Sequence, residues 1–242
     1  SDCHNKSVNN NNDNDEIKII GIINVVGSLI SRRTLLNIYT NCGRENAVAS
    51  TKSCTSQILA CLLLAINKAK LNNTLLPDLE YKFMNDLNSL HNDIQQVLSL
   101  ENNIQTVAKN ILEQKHNSMF LLGKDELYGS ALEGALKIKE VAYLHAEGFN
   151  ISALKHGPYA LIQKNTPIII IYKNHDHFVK SIIQEIITRG AFIIEISYDA
   201  SPNTNNIILP NNKTFTGLLS VIVLQLIAYH LSILQNIDPD RP

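Results

Sequence analysis

The stretch that decides the fold is SALEGALKIKEVAYLHAEGFNISALKHGP, residues 130–158. Ser130 and Glu133 form a Ser-x-x-Glu capping box, which predicts that a helix begins here, and Gly148 stands where that helix would end. Several apolar residues at helical spacing indicate that the helix is largely buried: Leu132, Leu136, Val141 and Leu144.

One face of this predicted helix carries charge. Glu133, Lys137 and Glu140 are spaced i, i+4 and i+7, so two carboxylates flank one ammonium. His156 follows beside a rigid Gly-Pro turn. Taken alone, the three charges are also typical of a capping glutamate and a helical ion pair, and His156 is also typical of a histidine bonded to backbone in a turn.

Apolar strands alternate with helices on both sides of this stretch. The predicted strands are Ile17–Asn24, Asn37–Thr40, Ser118–Leu122, Pro167–Tyr172, Ala191–Ser197 and Ile207–Leu209. The predicted helices are Thr51–Lys68, Glu80–Gln114 with a break near 101–103, His175–Arg189 and Gly217–Leu234. Such alternation predicts an α/β fold with a parallel sheet sandwiched by helices, whose ligands bind at the carboxyl ends of the strands.

Composition excludes several classes of function. A net charge of −1 without a basic run gives no reason to expect nucleic acid or an anionic membrane as partner. The four cysteines lack metal-site spacing and are expected to be reduced, and the polar N-terminus shows no signal-peptide pattern, which predicts a cytoplasmic protein without metal or cofactor. Polar residues interrupt Gly217–Leu234, so we expect a buried helix rather than a membrane span.

A polar loop precedes the predicted helix at Thr51. Strand, loop and helix N-terminus together can bind anions and sugar hydroxyls, which makes Ser50 and Thr51 candidate binding residues. On spacing alone, the simpler interpretation is that both are N-cap residues only.

The combination of acids, base and amine at one sheet edge favours aldose–ketose isomerisation. Glutamate can move a proton between carbons, lysine can stabilise an enolate, and histidine can open a sugar ring. Hydride transfer is disfavoured because no G-x-G-x-x-G motif follows a strand, and phosphoryl transfer because no G-x-x-x-x-G-K-[ST] loop is present.

Five motifs, in order, resemble the isomerase region of the glucosamine-6-phosphate synthases, the glutamine–fructose-6-phosphate aminotransferases. They are NVVGS (24–28), VASTK (48–52), ALEGALKIKE (131–140), LKHGP (154–158) and LSVIVLQLIAYHL (219–231). The resemblance covers nearly everything from Ile17 to Pro242. It implies sugar-isomerase (SIS) domains of flavodoxin-like or Rossmann-like type, with the first one truncated.

The resemblance also implies a domain organisation. Residues 1–15 would be a disordered tail, 16–79 part of a first SIS domain, 80–116 a helical connector and 117–242 a second SIS domain.

The resemblance implies formation of glucosamine-6-phosphate from fructose-6-phosphate and ammonia, in the biosynthesis of UDP-N-acetylglucosamine. Glu140 would move the proton between C1 and C2, with Lys137 and Glu133 assisting. His156 would open the ring from a neighbouring subunit, which implies a homodimer. The residues expected to contact the sugar phosphate are Val48, Ser50 and Thr51.

The sequence also departs from the family pattern. The family's glutaminase domain, a sugar-phosphate loop and a C-terminal lysine tail have no counterpart in this sequence, so we expect this chain alone to be weakly active or inactive. Several positions differ from the usual residues: Arg33, Arg44, Asn46, Asp125 in place of Gly, and Ala153. The alternatives are a non-catalytic SIS module that binds a phosphosugar or nucleotide sugar, and a scaffold that contributes only a dimer surface.

Overall fold

A computed structural model describes residues 19–200 and 205–242. The chain divides into two units, the first ending at Asn41 and the second beginning at Cys42. The predicted tail, residues 1–15, lies outside the described residues. The domain boundaries inferred from the sequence remain predictions.

The first unit contains two parallel strands and a short helix. β1 (Ile20–Ile23) pairs with β2 (Leu36–Tyr39), and α1 (Leu29–Arg33) connects them. The predictions of strands here are confirmed within the described part. The helix was not predicted; it begins where the Ser28 side chain accepts a hydrogen bond from the Ser31 N–H at 3.2 Å.

The second unit contains the long helices and a five-stranded sheet. Its elements are α2 (Lys52–Leu71), α3 (Pro77–Ser99), α4 (Glu101–Glu113), β3 (Ser118–Gly123), α5 (Tyr128–Ala142), β4 (His145–Asn150), β5 (Pro167–Ile171), α6 (His177–Thr188), β6 (Phe192–Ser197), β7 (Ile207–Ile208) and α7 (Thr216–Leu234). The predicted long helix after residue 80 does break, at Leu100, between α3 and α4.

The five-stranded sheet is parallel throughout, with strand order β4-β3-β5-β6-β7. Neighbouring β3 residues point to opposite faces: Met119 and Leu121 enter the core on one side, and Phe120 and Leu122 enter the core on the other. Because both faces are buried there, the central strands β3 and β5 are apolar at nearly every position. The predicted α/β fold with a parallel sheet flanked by helices is confirmed.

The start of the central helix differs from the prediction. α5 begins at Tyr128, directly after a 3₁₀ turn at Asp125–Leu127, and has no side-chain cap. The Ser130 hydroxyl donates instead to the Gly217 carbonyl at 3.0 Å, which ties α5 to α7. The capping box was therefore wrong, because a tertiary partner takes the serine that the local motif would have used.

The end of the central helix was also predicted wrongly. α5 stops at Ala142, where Tyr143 adopts a left-handed conformation with φ 55°. Gly148 lies in β4, where a Cβ would come within 2.8 Å of the Ala131 carbonyl oxygen. Gly148 thus permits close packing of β4 on α5 instead of ending the helix.

The apolar face of α5 also differs from the expected one. Leu132 and Leu136 are exposed at 45% and 41%, whereas small residues form most of the buried face. The buried residues of α5 are Ser130, Ala131, Gly134, Ala135, Lys137, Ile138, Val141 and Ala142. Small side chains let the helix approach α7 and the sheet closely.

Two helices of the described residues are long and apolar enough to span a membrane, α2 and α7. The α7 helix lies in the core, with 61% of its most apolar window buried, as expected from its sequence. No residue of α2 is fully buried, and this second candidate was not predicted from the sequence.

Candidate functional site

The predicted charge cluster exists on α5. The Lys137 ammonium lies 2.6 Å from the Glu140 Oε2 and 3.5 Å from the Glu133 Oε1. The Lys137 side chain is only 6% exposed, whereas Glu133 and Glu140 are 21% and 31% exposed. The structure therefore gives a buried cation between two carboxylates that reach toward solvent.

The two carboxylates keep Lys137 charged. Burial lowers the pKa of Lys137, but the hydrogen bond from Lys137 to Glu140 and the charge of Glu133 outweigh burial and raise the pKa above its ordinary value. A protonated lysine cannot accept a proton at neutral pH. Lys137 is therefore suited to stabilising negative charge that develops on a substrate oxygen.

The loop before α2 is organised around Glu45, which sequence reasoning missed. The Glu45 Oε1 accepts from the backbone N–H of Thr51 at 2.9 Å and of Ser53 at 3.3 Å. The hydroxyls of Ser50 and Thr51 also donate to this carboxylate, each at 3.3 Å. The sequence feature that could have identified Glu45 is a carboxylate shortly before a predicted helix start.

Thr51 therefore occupies the N-cap position of α2, but its side chain makes no capping hydrogen bond. Ser50 and Thr51 are half-buried, whereas Val48 is 69% exposed. The Val48 N–H donates to the Asp240 carbonyl at 3.3 Å. The segment thus presents Val48 outward and turns both hydroxyl groups toward Glu45.

Two cavities adjoin the charge cluster. The first, of about 220 Å³, is lined by Thr51, Lys137, Gln225, Tyr229 and Asp240, among others. The second, of about 440 Å³, is lined by Cys54, Glu126, Glu133, Lys173 and apolar residues of α2 and α7. The predicted binding residue Thr51 and the predicted catalytic residue Lys137 therefore share one cavity wall.

Cys54 is a second residue that sequence reasoning missed. Burial raises the pKa of the Cys54 thiol to about 11, and the negative charge of Glu133 and a hydrogen bond to it act in the same direction. The thiol is therefore protonated at neutral pH and connects the start of α2 to the charge cluster.

His156 lies apart from these groups. It ends a 3₁₀ segment, Ile151–His156, and is exposed. Within the described residues, none of its contacts reaches Glu133, Lys137 or Glu140. The structure of one chain thus brings Glu133, Lys137 and Glu140 together and places Thr51 on the same cavity as Lys137, whereas no hydrogen bond or ion pair among the described residues joins His156 to them.

Asp125 stands where a glycine would be usual, and its backbone φ is 53°. This left-handed conformation favours glycine, and aspartate tolerates it better than most residues do. The substitution is therefore compatible with the turn that follows β3.

The described residues form no cluster of potential metal ligands. No group of three or more His, Cys, Asp or Glu residues there could hold a metal ion.

The fold and site define a class of protein: a parallel α/β domain with a buried lysine between two glutamates on the helix that follows its first strand. The family model of the SIS domain matches residues 6–67 and 111–235. This chain therefore belongs to the SIS domain family.

Relatives of known name are glutamine–fructose-6-phosphate aminotransferases (isomerizing). The enzyme of Methanosarcina acetivorans is 37% identical over 231 residues, which are 92% of this chain and 37% of that enzyme. The human enzyme 2 is also 37% identical, over 92% of this chain and 33% of that enzyme. The chain thus spans about a third of the length of these relatives.

A solved structure supports the same assignment. The C-terminal domain of glucosamine-fructose-6-phosphate aminotransferase from Francisella tularensis superposes with a TM-score of 0.83 at 31% identity. The superposition covers 92% of this chain and 64% of that domain. The similarity therefore extends over almost all of this chain and lies in the isomerase region.

Proposed function

We propose that this chain carries the isomerase chemistry of glutamine–fructose-6-phosphate aminotransferase, in which fructose-6-phosphate and ammonia give glucosamine-6-phosphate. The observation that carries the proposal is the Lys137 ammonium held between Glu133 and Glu140. The names of the relatives support the same substrate class.

Proton transfer is assigned to Glu140. In the conversion of a C2 imine to a 2-amino aldose, one proton leaves C1 and one is delivered to C2. A carboxylate on the exposed side of the cluster can accept the first proton and return it. As the C1 proton leaves, its electron pair forms a C1=C2 bond and the imine nitrogen takes up a proton. When C2 is then protonated, the C1 hydroxyl loses its proton and becomes the aldehyde oxygen, and Lys137, which stays charged, stabilises the negative charge that develops on that oxygen.

The other residues hold or prepare the sugar. Glu133 keeps the Lys137 ammonium in place from the side opposite Glu140. Val48, Ser50 and Thr51 contact the sugar, and the position of Thr51 on the 220 Å³ cavity that Lys137 also lines supports this assignment. His156 is exposed and opens the sugar ring in a second copy of the chain, so the active form is a homodimer.

The setting follows from the same proposal. The glutaminase domain of the full-length relatives would supply ammonia, no further cofactor is needed, and the enzyme works in the cytoplasm. The partners are therefore a sugar phosphate, ammonia and a second copy of this chain.

Solvent-hydrogen exchange tests the proposal. The purified chain is incubated with glucosamine-6-phosphate in deuterium oxide, and deuterium at C2 is followed by NMR. We expect weak but measurable exchange in the unaltered chain and at least about a 100-fold loss in Glu140→Gln, because general acid–base catalysis typically contributes 10²–10⁴-fold. Glu113→Gln, on an exposed glutamate of α4, is the matched control.

The result also separates the enzyme from the alternatives. Binding of glucosamine-6-phosphate without exchange in either protein would favour a non-catalytic SIS module. Absence of all sugar-phosphate binding would favour a scaffold.

A further inference from the structure

The start of α2 is held by a single carboxylate. Glu45 accepts hydrogen bonds from the backbone N–H groups of Thr51 and Ser53 and from the hydroxyls of Ser50 and Thr51. These donors are all uncharged. The carboxylate also lies at the positive end of the α2 dipole, where negative charge is stabilising.

Burial by itself raises the pKa of Glu45. Hydrogen bonds from the Ser53 side chain, the Thr51 and Ser53 backbone and the Ser50 side chain outweigh burial and lower the pKa to about 2. The carboxylate is therefore ionised at every physiological pH, and the contact persists under all such conditions.

The segment that Glu45 holds is continuous with the proposed sugar site. Thr51 and Lys137 line the same 220 Å³ cavity. The Thr51 carbonyl accepts from the Gln225 side chain of α7 at 3.3 Å, so the segment is held from both sides. A change in the backbone at Thr51 would therefore alter the lining of the cavity that Lys137 also lines.

We propose that Glu45 is a positioning residue: it fixes the backbone at Ser50 and Thr51 and the hydroxyl direction of Thr51, so that Thr51, which lines the cavity, meets the sugar without rearrangement. This role rests on the proposed function. Glu45 itself faces the helix start, where the N–H groups of Thr51 and Ser53 donate to it, and Thr51 is the member of the 50–51 segment that lines the cavity.

The direction of these hydrogen bonds determines what the Ser50 and Thr51 hydroxyls can offer to a ligand. A hydroxyl has one proton, and Ser50 and Thr51 both donate theirs to Glu45. Their oxygens keep free lone pairs, so they accept from a ligand and do not donate to it. The 50–51 segment is thereby prepared for a ligand hydroxyl, and reorganisation on binding is small.

The test compares Glu45→Gln and Glu45→Ala with the control Glu113→Gln. The first readout needs no ligand: hydrogen exchange of the Thr51 and Ser53 amides, measured by NMR. We expect faster exchange in Glu45→Ala, a smaller increase in Glu45→Gln, which keeps one acceptor oxygen, and no change in the control.

The second readout is affinity for glucosamine-6-phosphate by calorimetry. We expect weakening on the order of tenfold in Glu45→Ala, with partial rescue in Glu45→Gln, since a lost charged hydrogen bond typically changes binding by that order. A purely structural role would speed amide exchange and leave the affinity unchanged.

Three outcomes overturn the proposal, and they are distinguishable. Unchanged amide exchange in both variants would show that Glu45 does not hold the Thr51 and Ser53 amides. Altered exchange with unchanged affinity removes the positioning role and leaves the proposed function intact. If the unaltered chain does not bind glucosamine-6-phosphate, the proposed function fails and the positioning role fails with it.

Discussion

The α5 charge cluster and the Glu45 segment hold negative charge in different ways. On α5, Glu133 and Glu140 face a buried ammonium, whereas Glu45 faces only neutral donors and a helix dipole. A cation between carboxylates provides charge for chemistry, and a ring of neutral donors provides a fixed backbone. In the proposed mechanism, the α5 cluster therefore carries the catalysis and the Glu45 segment the positioning.

The largest expected effect comes from removing the cation of the α5 cluster. Lys137→Met leaves Glu133 and Glu140 without their partner, so we expect loss of C2 exchange and lower stability. Breaking a buried pair typically costs about 3–5 kcal/mol, and the partial exposure of both carboxylates places this case at or below the lower end. Urea unfolding measures the change, and unaltered exchange activity would contradict the assigned role of Lys137.

The next largest effect concerns whether His156 acts on the site of its own chain or on the site that contains Glu140 of a second copy. Glu140→Gln and His156→Ala are each expected to lack exchange activity on fructose-6-phosphate. After mixing and re-equilibration, mixed dimers would hold one intact site, so activity should return to about a quarter of the original level for a two-fold dimer. No recovery, in a sample shown to contain mixed dimers, would place His156 in the same chain as Glu140 or outside the site.

A smaller effect perturbs the packing beneath the α5 cluster and spares its charges. Gly148→Ala places a Cβ 2.8 Å from backbone atoms of Ala131 and Leu132, so we expect a loss of about 1–3 kcal/mol in the free energy of unfolding. Gly129→Ala, on α5 itself, where an added Cβ would meet nothing within 4 Å, is the control and should not destabilise. Equal urea midpoints for both variants would refute the close packing of β4 on α5.

The smallest expected effect is a pH dependence of stability that distinguishes Glu45 from the α5 cluster. The folded-state pKa of Glu45 is lowered to about 2 from 4.5, so its contribution to stability is complete above about pH 4.5 and is lost as the pH falls toward 2. The stability difference between the unaltered chain and Glu45→Gln should therefore shrink over this window. A difference that stays constant from pH 6 to pH 2.5 would contradict the lowered pKa.

At alkaline pH, we expect the α5 cluster to determine how stability changes. Because the folded-state pKa of Lys137 is raised above 10.5, its contribution is complete below about pH 10.5 and is lost as the pH rises through the raised value. Lys137 and Glu45 thus limit stability at opposite ends of the pH scale.

The core of the sheet was predictable from sequence because burial on both faces leaves a simple signal. The run Pro167–Tyr172 was expected as a strand and is observed as Pro167–Ile171. The helix expected at His175–Arg189 is observed as His177–Thr188, and Gly190 follows with φ 74°. In these places local preference and tertiary burial agree.

Prediction from the sequence failed where a tertiary contact takes the place of a local motif. β4 was mistaken for helix because its composition, HAEGFN, gives no strand pattern and because Tyr143, not glycine, takes the left-handed position that ends α5. Ser130 bonds to α7 instead of capping its own helix. Neither partner is visible in the local sequence.

The candidate site shows the same division. The i, i+4, i+7 spacing placed Glu133, Lys137 and Glu140 together correctly, because one helix fixes their separation. Glu45 and Cys54 were missed, because their roles depend on how a loop and a second helix pack. Spacing within one element is predictable, and contacts between elements are not.

The most direct test of the central claim is a crystal structure of the protein with glucosamine-6-phosphate. The account predicts that the sugar lies over the α5 cluster, with C1 or C2 within about 3.5 Å of the Glu140 carboxylate, the reach that proton transfer requires, and with a substrate oxygen near the Lys137 ammonium. A sugar phosphate bound elsewhere, with Glu140 far from C1 and C2, would contradict it.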